Sequence, residues 1–222
     1  MFDSPLQKPL PYYQQIQQSI KESIFSGVYK PGDRLYEAQI AKHYQISRSP
    51  VREAIRGLII EGLLVMDEKS QISVYKPNLQ DVRDIYECRI SLESKAVELT
   101  AERGTDEQLQ ELGKILEQTA EAIQAGNTEI IVACNARFHE LIILYSGNAR
   151  LMKLVEDLNS LIYYYRVLNI QGDGRLDAIL KGHTDIYLAI KERNPKKASD
   201  RLKEHTHEDL SNLIHIIEQL EE

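Results

Sequence analysis

Cysteine is scarce in this chain. Cys88 and Cys134 are the two among 222 residues, too few for a disulfide framework and without the paired spacing of a zinc site, so a reducing compartment is expected. Long apolar runs are missing too. Runs such as Leu58-Ile59-Ile60 and Leu141-Ile142-Ile143-Leu144 are short, far below the ~20 residues that span a bilayer. No membrane association is expected. The start, Met1-Phe2-Asp3-Ser4-Pro5, has neither the basic residues nor the apolar stretch of a secretory leader, which points to a soluble cytoplasmic protein. Positive charge is also short: 27 Lys and Arg face 34 Asp and Glu, for a net charge of -7. Taken in bulk, that balance counts against nucleic acid, whose phosphates need cations. What is present is ordinary for a folded domain. An apolar share of 42% excludes a disordered or collagenous chain.

Proline thins out along the chain. Pro5, Pro9, Pro11, Pro31, Pro50 and Pro77 come early, and after them only Pro195 remains. The boundary this suggests lies near Lys76-Pro77-Asn78, giving domains 1–76 and 77–222. Charge divides at the same place. Residues 1–76 carry 10 Lys/Arg against 8 Asp/Glu, whereas residues 77–222 carry 17 against 26. The acidity belongs to the second part, and the stretch from Lys30 to Gly57 is basic.

In the first part, Ile16, Ile20, Ile24 and Phe25 recur at helical spacing between Tyr12 and Ser26, with Gly27 placed to stop the helix. Pro31-Gly32-Asp33-Arg34 reads as a turn. A short helix follows over about 37–44. A second begins after Ser47, a residue suited to capping, with Pro50 early in it, where a missing N–H costs little. Val51, Ile55, Leu58 and Ile59 form its apolar stripe. Gly62 ends it, and 63–66 and 72–75 read as two short strands about a polar turn. Helix, helix, turn, helix and hairpin make a winged helix-turn-helix. The second part reads as six helices, about 79–103, 106–125, 128–146, 149–169, 175–192 and 195–220. Asn78, Thr105, Asn127, Asn148, Asp173 and Asn194 stand at their starts as caps. The overall fold class is mainly α, with an N-terminal winged helix-turn-helix and a C-terminal six-helix antiparallel bundle.

Arg48, Arg52 and Arg56 follow one another at i, i+4 and i+8 beside that apolar stripe. A helix fixed by its apolar side and offering Arg from its N-terminal half suits a major groove, where Arg bonds a guanine edge or a phosphate. Ser47 and Ser49, with the free N–H groups of the first turn, suit phosphate. An alternative is a merely solvated charged face. The run Pro31-Gly32-Asp33-Arg34-Leu35, Glu37, Ile40-Ala41, Ser47-Arg48-Ser49-Pro50-Val51-Arg52-Glu53-Ala54-Ile55 and Leu58-Ile59-Ile60-Glu61-Gly62-Leu63-Leu64 resembles the GntR family of bacterial transcription regulators. The resemblance implies that Arg34, Ser47, Arg48, Ser49 and Arg52 contact operator DNA. The wing departs from the family pattern: Asp67-Glu68-Lys69-Ser70-Gln71 has no Gly and two acids, so base contacts from it are not expected.

Six His occur. Asn135 and His139 share one helix face, while His183 and His205 lie on two further helices; three His and a side-chain oxygen can converge on a metal in a bundle core. Spacing alone equally allows ordinary core or surface His. The zinc-protease pattern fails, since Ile143 stands where a second His is needed after His139-Glu140. No G-x-S-x-G elbow or phosphate-cradling Gly loop occurs either. Tyr86-Glu87-Cys88-Arg89, Leu92-Glu93, Asn135 through His139, Gly147-Asn148, Gly182-His183 and His205 resemble the FadR-type ligand-binding domain, or FCD domain, of GntR regulators. That resemblance implies a divalent metal (zinc, nickel or similar) held by His139, His183 and His205, with Asn135 where the family has Asp. It also implies Arg89 facing a small organic carboxylate effector, although an Arg89–Glu93 pair on a solvated face is the alternative. Tyr163-Tyr164-Tyr165-Arg166 is another candidate lining, because at least one of the three Tyr must face inward. The expectation is a ligand-responsive transcription regulator, a repressor by family logic, acting as a homodimer on a pseudo-palindromic operator. A regulator that senses the metal itself is the alternative. A metalloenzyme fits less well, because Glu140 lies about 100° round the helix from His139.

Overall fold

The computed structural model describes residues 10–221; the N-terminal stretch read above for a leader lies outside them. The chain forms two compact units that meet between Lys76 and Pro77. In the first, α1 (Tyr12–Phe25), α2 (Glu37–His43) and α3 (Arg48–Ile60) accompany β1 (Arg34–Leu35), β2 (Leu64–Met66) and β3 (Ile72–Val74). Ile16, Ile20 and Ile24 of α1 are buried and pack toward α3, whose Val51, Ala54, Ile55 and Leu58 are also buried. Each large aliphatic side chain so enclosed contributes roughly 1.5–3 kcal/mol. Ala54 thus takes the place expected for Ile59, which is half-buried. Gly27 adopts φ 75°, the left-handed value that ends α1 without strain.

The sheet is antiparallel in the order β1-β3-β2, with Leu35 opposite Ile72 and Leu64 opposite Val74. Strand β1 was hidden in the sequence, because two residues leaving a turn are too short to show alternation. Ser47 stands at the N-cap of α3 in extended geometry, but its side chain makes no capping bond. The expected cap is therefore not made by the hydroxyl, which stays exposed at the helix start.

The second unit holds α4 (Leu79–Arg103), α5 (Asp106–Gln124), α6 (Thr128–Tyr145), α7 (Ala149–Glu156), α8 (Asn159–Leu168), α9 (Arg175–Lys191) and α10 (Pro195–Glu221). Among the described residues there are thus seven helices rather than six. The stretch expected as one helix over 149–169 breaks at Asp157-Leu158, where Leu158 N–H bonds back to Val155 at 3.0 Å, a tighter turn than the α-helical ladder. Neither Gly nor Pro marks the break.

Asn78, Thr105, Asn127 and Asn148 cap their helices as expected, and Asn194 Oδ1 accepts from Lys197 N–H at 3.0 Å. Asp173 does not cap. Gly174, with φ 68°, occupies that position instead. Helix α10 packs along α4 and α9, and α4 also packs on α6, so these helices enclose the centre of the unit. No helix among the described residues is long and apolar enough to cross a membrane.

Candidate functional site

In the first unit Arg34, Ser47, Arg48, Ser49 and Arg52 are all exposed. Arg34 and Glu37 line one open groove with Tyr36, Ser70 and Gln71. Glu37 also holds Arg52, whose Nε donates to Oε2 at 2.8 Å. Glu37 thus both lines the groove beside Arg34 and pairs with Arg52 of α3. Arg48 and Ser49 sit on the first turn of α3, where the free N–H groups of a helix start favour an anion. The wing tip is a closed turn: Asp67 Oδ1 accepts from the N–H groups of Lys69 and Gln71 at 2.9 and 2.8 Å. Ser70 takes φ 59° there, a conformation that glycine adopts more easily. Asp67 is thereby committed to shaping the turn.

In the second unit His139 on α6, His183 on α9 and His205 on α10 are buried, and one nitrogen from each lies within 4.8 Å of the others. The Nε2 atoms of His139 and His183 face each other at 3.2 Å. Two nitrogens bound to one ion at 2.0–2.1 Å stand roughly 2.8–3.4 Å apart at octahedral to tetrahedral angles. Burial pushes His139 down to about 4, against the pull of Glu93. Burial likewise lowers His183 and His205, so all three present neutral imidazoles with lone pairs available. Both nitrogens of His205 and Nδ1 of His183 are buried without a hydrogen-bond partner. So is Oδ1 of Asn135, one turn from His139 on the same face of α6. The donor set, three imidazoles and an amide oxygen, fits a borderline divalent ion such as zinc or nickel.

Around these groups lies a charged shell. Glu93 Oε2 stands 2.9 Å from His139 Nδ1, a contact that orients the ring with its Nε2 toward His183. Burial works to raise Glu93, but Arg89, His139 and Arg166 together hold it well below the usual carboxylate range. Tyr86, Arg89 and Glu93 follow one face of α4, with Arg89 Nε donating to Glu93 Oε1 at 3.1 Å. Arg166 on α8 approaches the same oxygen, its Nη2 at 3.6 Å. Burial and Arg89 push Arg166 down to about 10. Arg175, at the start of α9, is spent locally: it donates to the Asn169 carbonyl at 3.0 Å and pairs with Asp209. Asp209 in turn lies one turn beyond His205 on α10, with Oδ2 3.7 Å from its Nε2.

Comparison with known proteins decides what carries this arrangement. Residues 84–208 match the FCD domain, and residues 12–74 match the gntR family of bacterial regulatory proteins. The HTH-type transcriptional regulator YdhC of Bacillus subtilis is 40% identical over 220 residues, covering 99% of this chain and 98% of its own. The chain belongs to the gntR family. It is a DNA-binding transcription regulator of the FCD type, not an enzyme. Two solved structures share the fold. McbR/YncC from Escherichia coli aligns with a TM-score of 0.78 at 23% identity, over 93% of this chain and 99% of that one. A metal-free FCD domain of another regulator aligns with a TM-score of 0.55 at 23% identity, over 64% of this chain and 98% of that one.

Within this gntR-family regulator the structure gathers His139, His183, His205 and Arg89 in the core of the FCD domain. Arg89 and Glu93 do pair, but in the interior rather than on a solvated face. Of the three tyrosines, Tyr164 and Tyr165 are buried and Tyr163 is half-buried. Sequence reasoning missed Glu93 and Asp209 as partners of histidines, although Asp209 is four residues from His205 and so on its face. Nothing in the sequence pointed to Arg175.

Proposed function

We propose that the chain is a repressor whose FCD domain binds a divalent metal and a small organic carboxylate, which releases a homodimer from a pseudo-palindromic operator. The observation that carries this reading is the convergence of three buried imidazoles from three helices beside Arg89, whose Nη1 and Nη2 are buried with no acceptor. Such groups are costly to leave unpaired. His139, His183, His205 and Asn135 would hold the ion, which when bound supplies a coordination point for a carboxylate oxygen. Arg89 supplies a planar pair of donors for the same group. Glu93 fixes the His139 ring, and Asp209 lies against His205. The acidic FCD half need not meet DNA, while Arg34, Ser47, Arg48, Ser49 and Arg52 offer the exposed donors that a half-site needs. A cytoplasmic location accompanies this role.

The test is a metal analysis of the purified protein, followed by operator titrations with metal removed, with metal, and with metal plus organic acids. The reading expects bound metal and an operator affinity that falls only when acid is added. If chelation alone changes operator affinity and no acid matters, the metal is itself the signal.

A further inference from the structure

The unpartnered donors in the core of the FCD domain exceed what one carboxylate can accept. Arg89 Nη1 and Nη2, Arg166 Nε and the Tyr86 hydroxyl are all buried without acceptors. Each Nη carries two N–H groups, whereas a carboxylate offers roughly four lone-pair directions, one of which a metal would take. Charge tells the same story. Arg175 and Asp209 balance each other. Among the described residues Glu93 is the carboxylate paired with both Arg89 and Arg166, which share its Oε1, while Asp209, already paired with Arg175, acts on them only through its field. One guanidinium charge is left over. A neutral amide at Asn135 does nothing to offset it, and a divalent ion in the histidine cluster would add to the excess. Buried charge of this kind is stable only when compensated.

Resting on the reading of this core as an effector site, we propose that its ligand is a small organic acid with two anionic groups, one on the metal and Arg89, the other on Arg166. The Arg166 side chain sits on α8, the segment turned by the break at Asp157-Leu158, and its Nε is the donor left for a second acceptor. Arg89 lies against the Tyr86 ring, 4.7 Å from its centroid, which holds the guanidinium in place for the first.

The experiment uses full-length protein loaded with zinc and acids matched in chain length: propionate against malonate, butyrate against succinate, valerate against glutarate. Calorimetric titration reads each affinity, and zinc content is measured afterwards to exclude stripping. At least one diacid is expected to bind about tenfold or more tightly than its monoacid, the worth of a charge-assisted buried pair. In Arg166→Gln the ratio of diacid to monoacid affinity falls to about threefold or less. Phosphonoacetate beside malonate shows whether the second group is phosphate-like or a carboxylate. Equal binding of monoacid and diacid in every pair overturns the second anchor and leaves the carboxylate reading standing. Binding of neither kind overturns both. Full diacid preference in a folded Arg166→Gln protein removes Arg166 from the role. Should that variant not fold, Arg166→Lys, which keeps the charge and loses the Nε donor, replaces it, and the wild-type comparison stands by itself.

Discussion

A methyl group at position 182 would stand 2.5 Å from Nδ1 of His205. The glycine before His183 is thus there to admit a neighbouring ring, and its helical φ demands nothing special. Gly182→Ala should push the His205 ring out of the cluster and cost about 1–3 kcal/mol of stability through overpacking. Denaturant unfolding with and without zinc reads both effects, and unchanged zinc affinity would refute the close approach. Glu93 is under the opposite constraint, since two guanidiniums and an imidazole lean on one buried carboxylate. Glu93→Gln leaves the two guanidiniums uncompensated and should destabilise by about 3–5 kcal/mol, the usual cost of breaking a buried ion pair. A change within the range of surface substitutions would mean that water already compensates them. At Asn135 the missing charge is the point. Asn135→Asp should tighten metal binding, and an unaltered dissociation constant would show that this oxygen is no ligand.

At the scale of the helix, α3 carries the argument for DNA. Its buried side fixes it to the unit, so Arg48→Ala and Arg52→Ala remove exposed groups and should leave thermal stability nearly unchanged. Each should weaken operator binding by about 1–3 kcal/mol if it reads bases. Fluorescence anisotropy on operator and scrambled DNA separates base reading from phosphate contact, which weakens both alike. Elements with long periodic patterns were legible from the sequence. The α1 stripe, α3, and the Asn and Thr caps of α4 to α7 all follow from local chemistry. The break between α7 and α8 was missed, because no Gly or Pro marks it and its local sign was only the weak helix formers Asp157, Asn159 and Ser160. Strand β1 was hidden by its brevity. The site divides in the same way. The three histidines were named by spacing and resemblance, but the carboxylate beside His139 comes from another helix, and sequence cannot say that Glu93 of α4 meets His139 of α6.

Across the whole molecule, the net charge of -7 conceals a basic DNA-binding part and an acidic FCD part. A small positive balance gives weak non-specific affinity, so operator binding should rest on specific Arg contacts and on the pairing of two copies. Signalling between the parts is then a coupling free energy, limited by how differently the effector binds the operator-bound and free forms. Such couplings are typically ~1–3 kcal/mol, or roughly 5–150-fold. Linkage makes the effect reciprocal: whatever factor an acid takes from operator affinity, operator DNA must take from acid affinity. The preferred diacid should therefore bind the operator complex more weakly than the free protein, by the same factor that it weakens the complex. Calorimetry of the acid on free and operator-saturated protein gives one side of the cycle, and anisotropy with and without acid gives the other. Agreement of the two factors, together with their joint loss in His183→Ala, would place the signal in the histidine core. If the acid binds the complex and the free protein equally, the site binds its ligand without informing the DNA-binding part, and the core is a store or a structural staple.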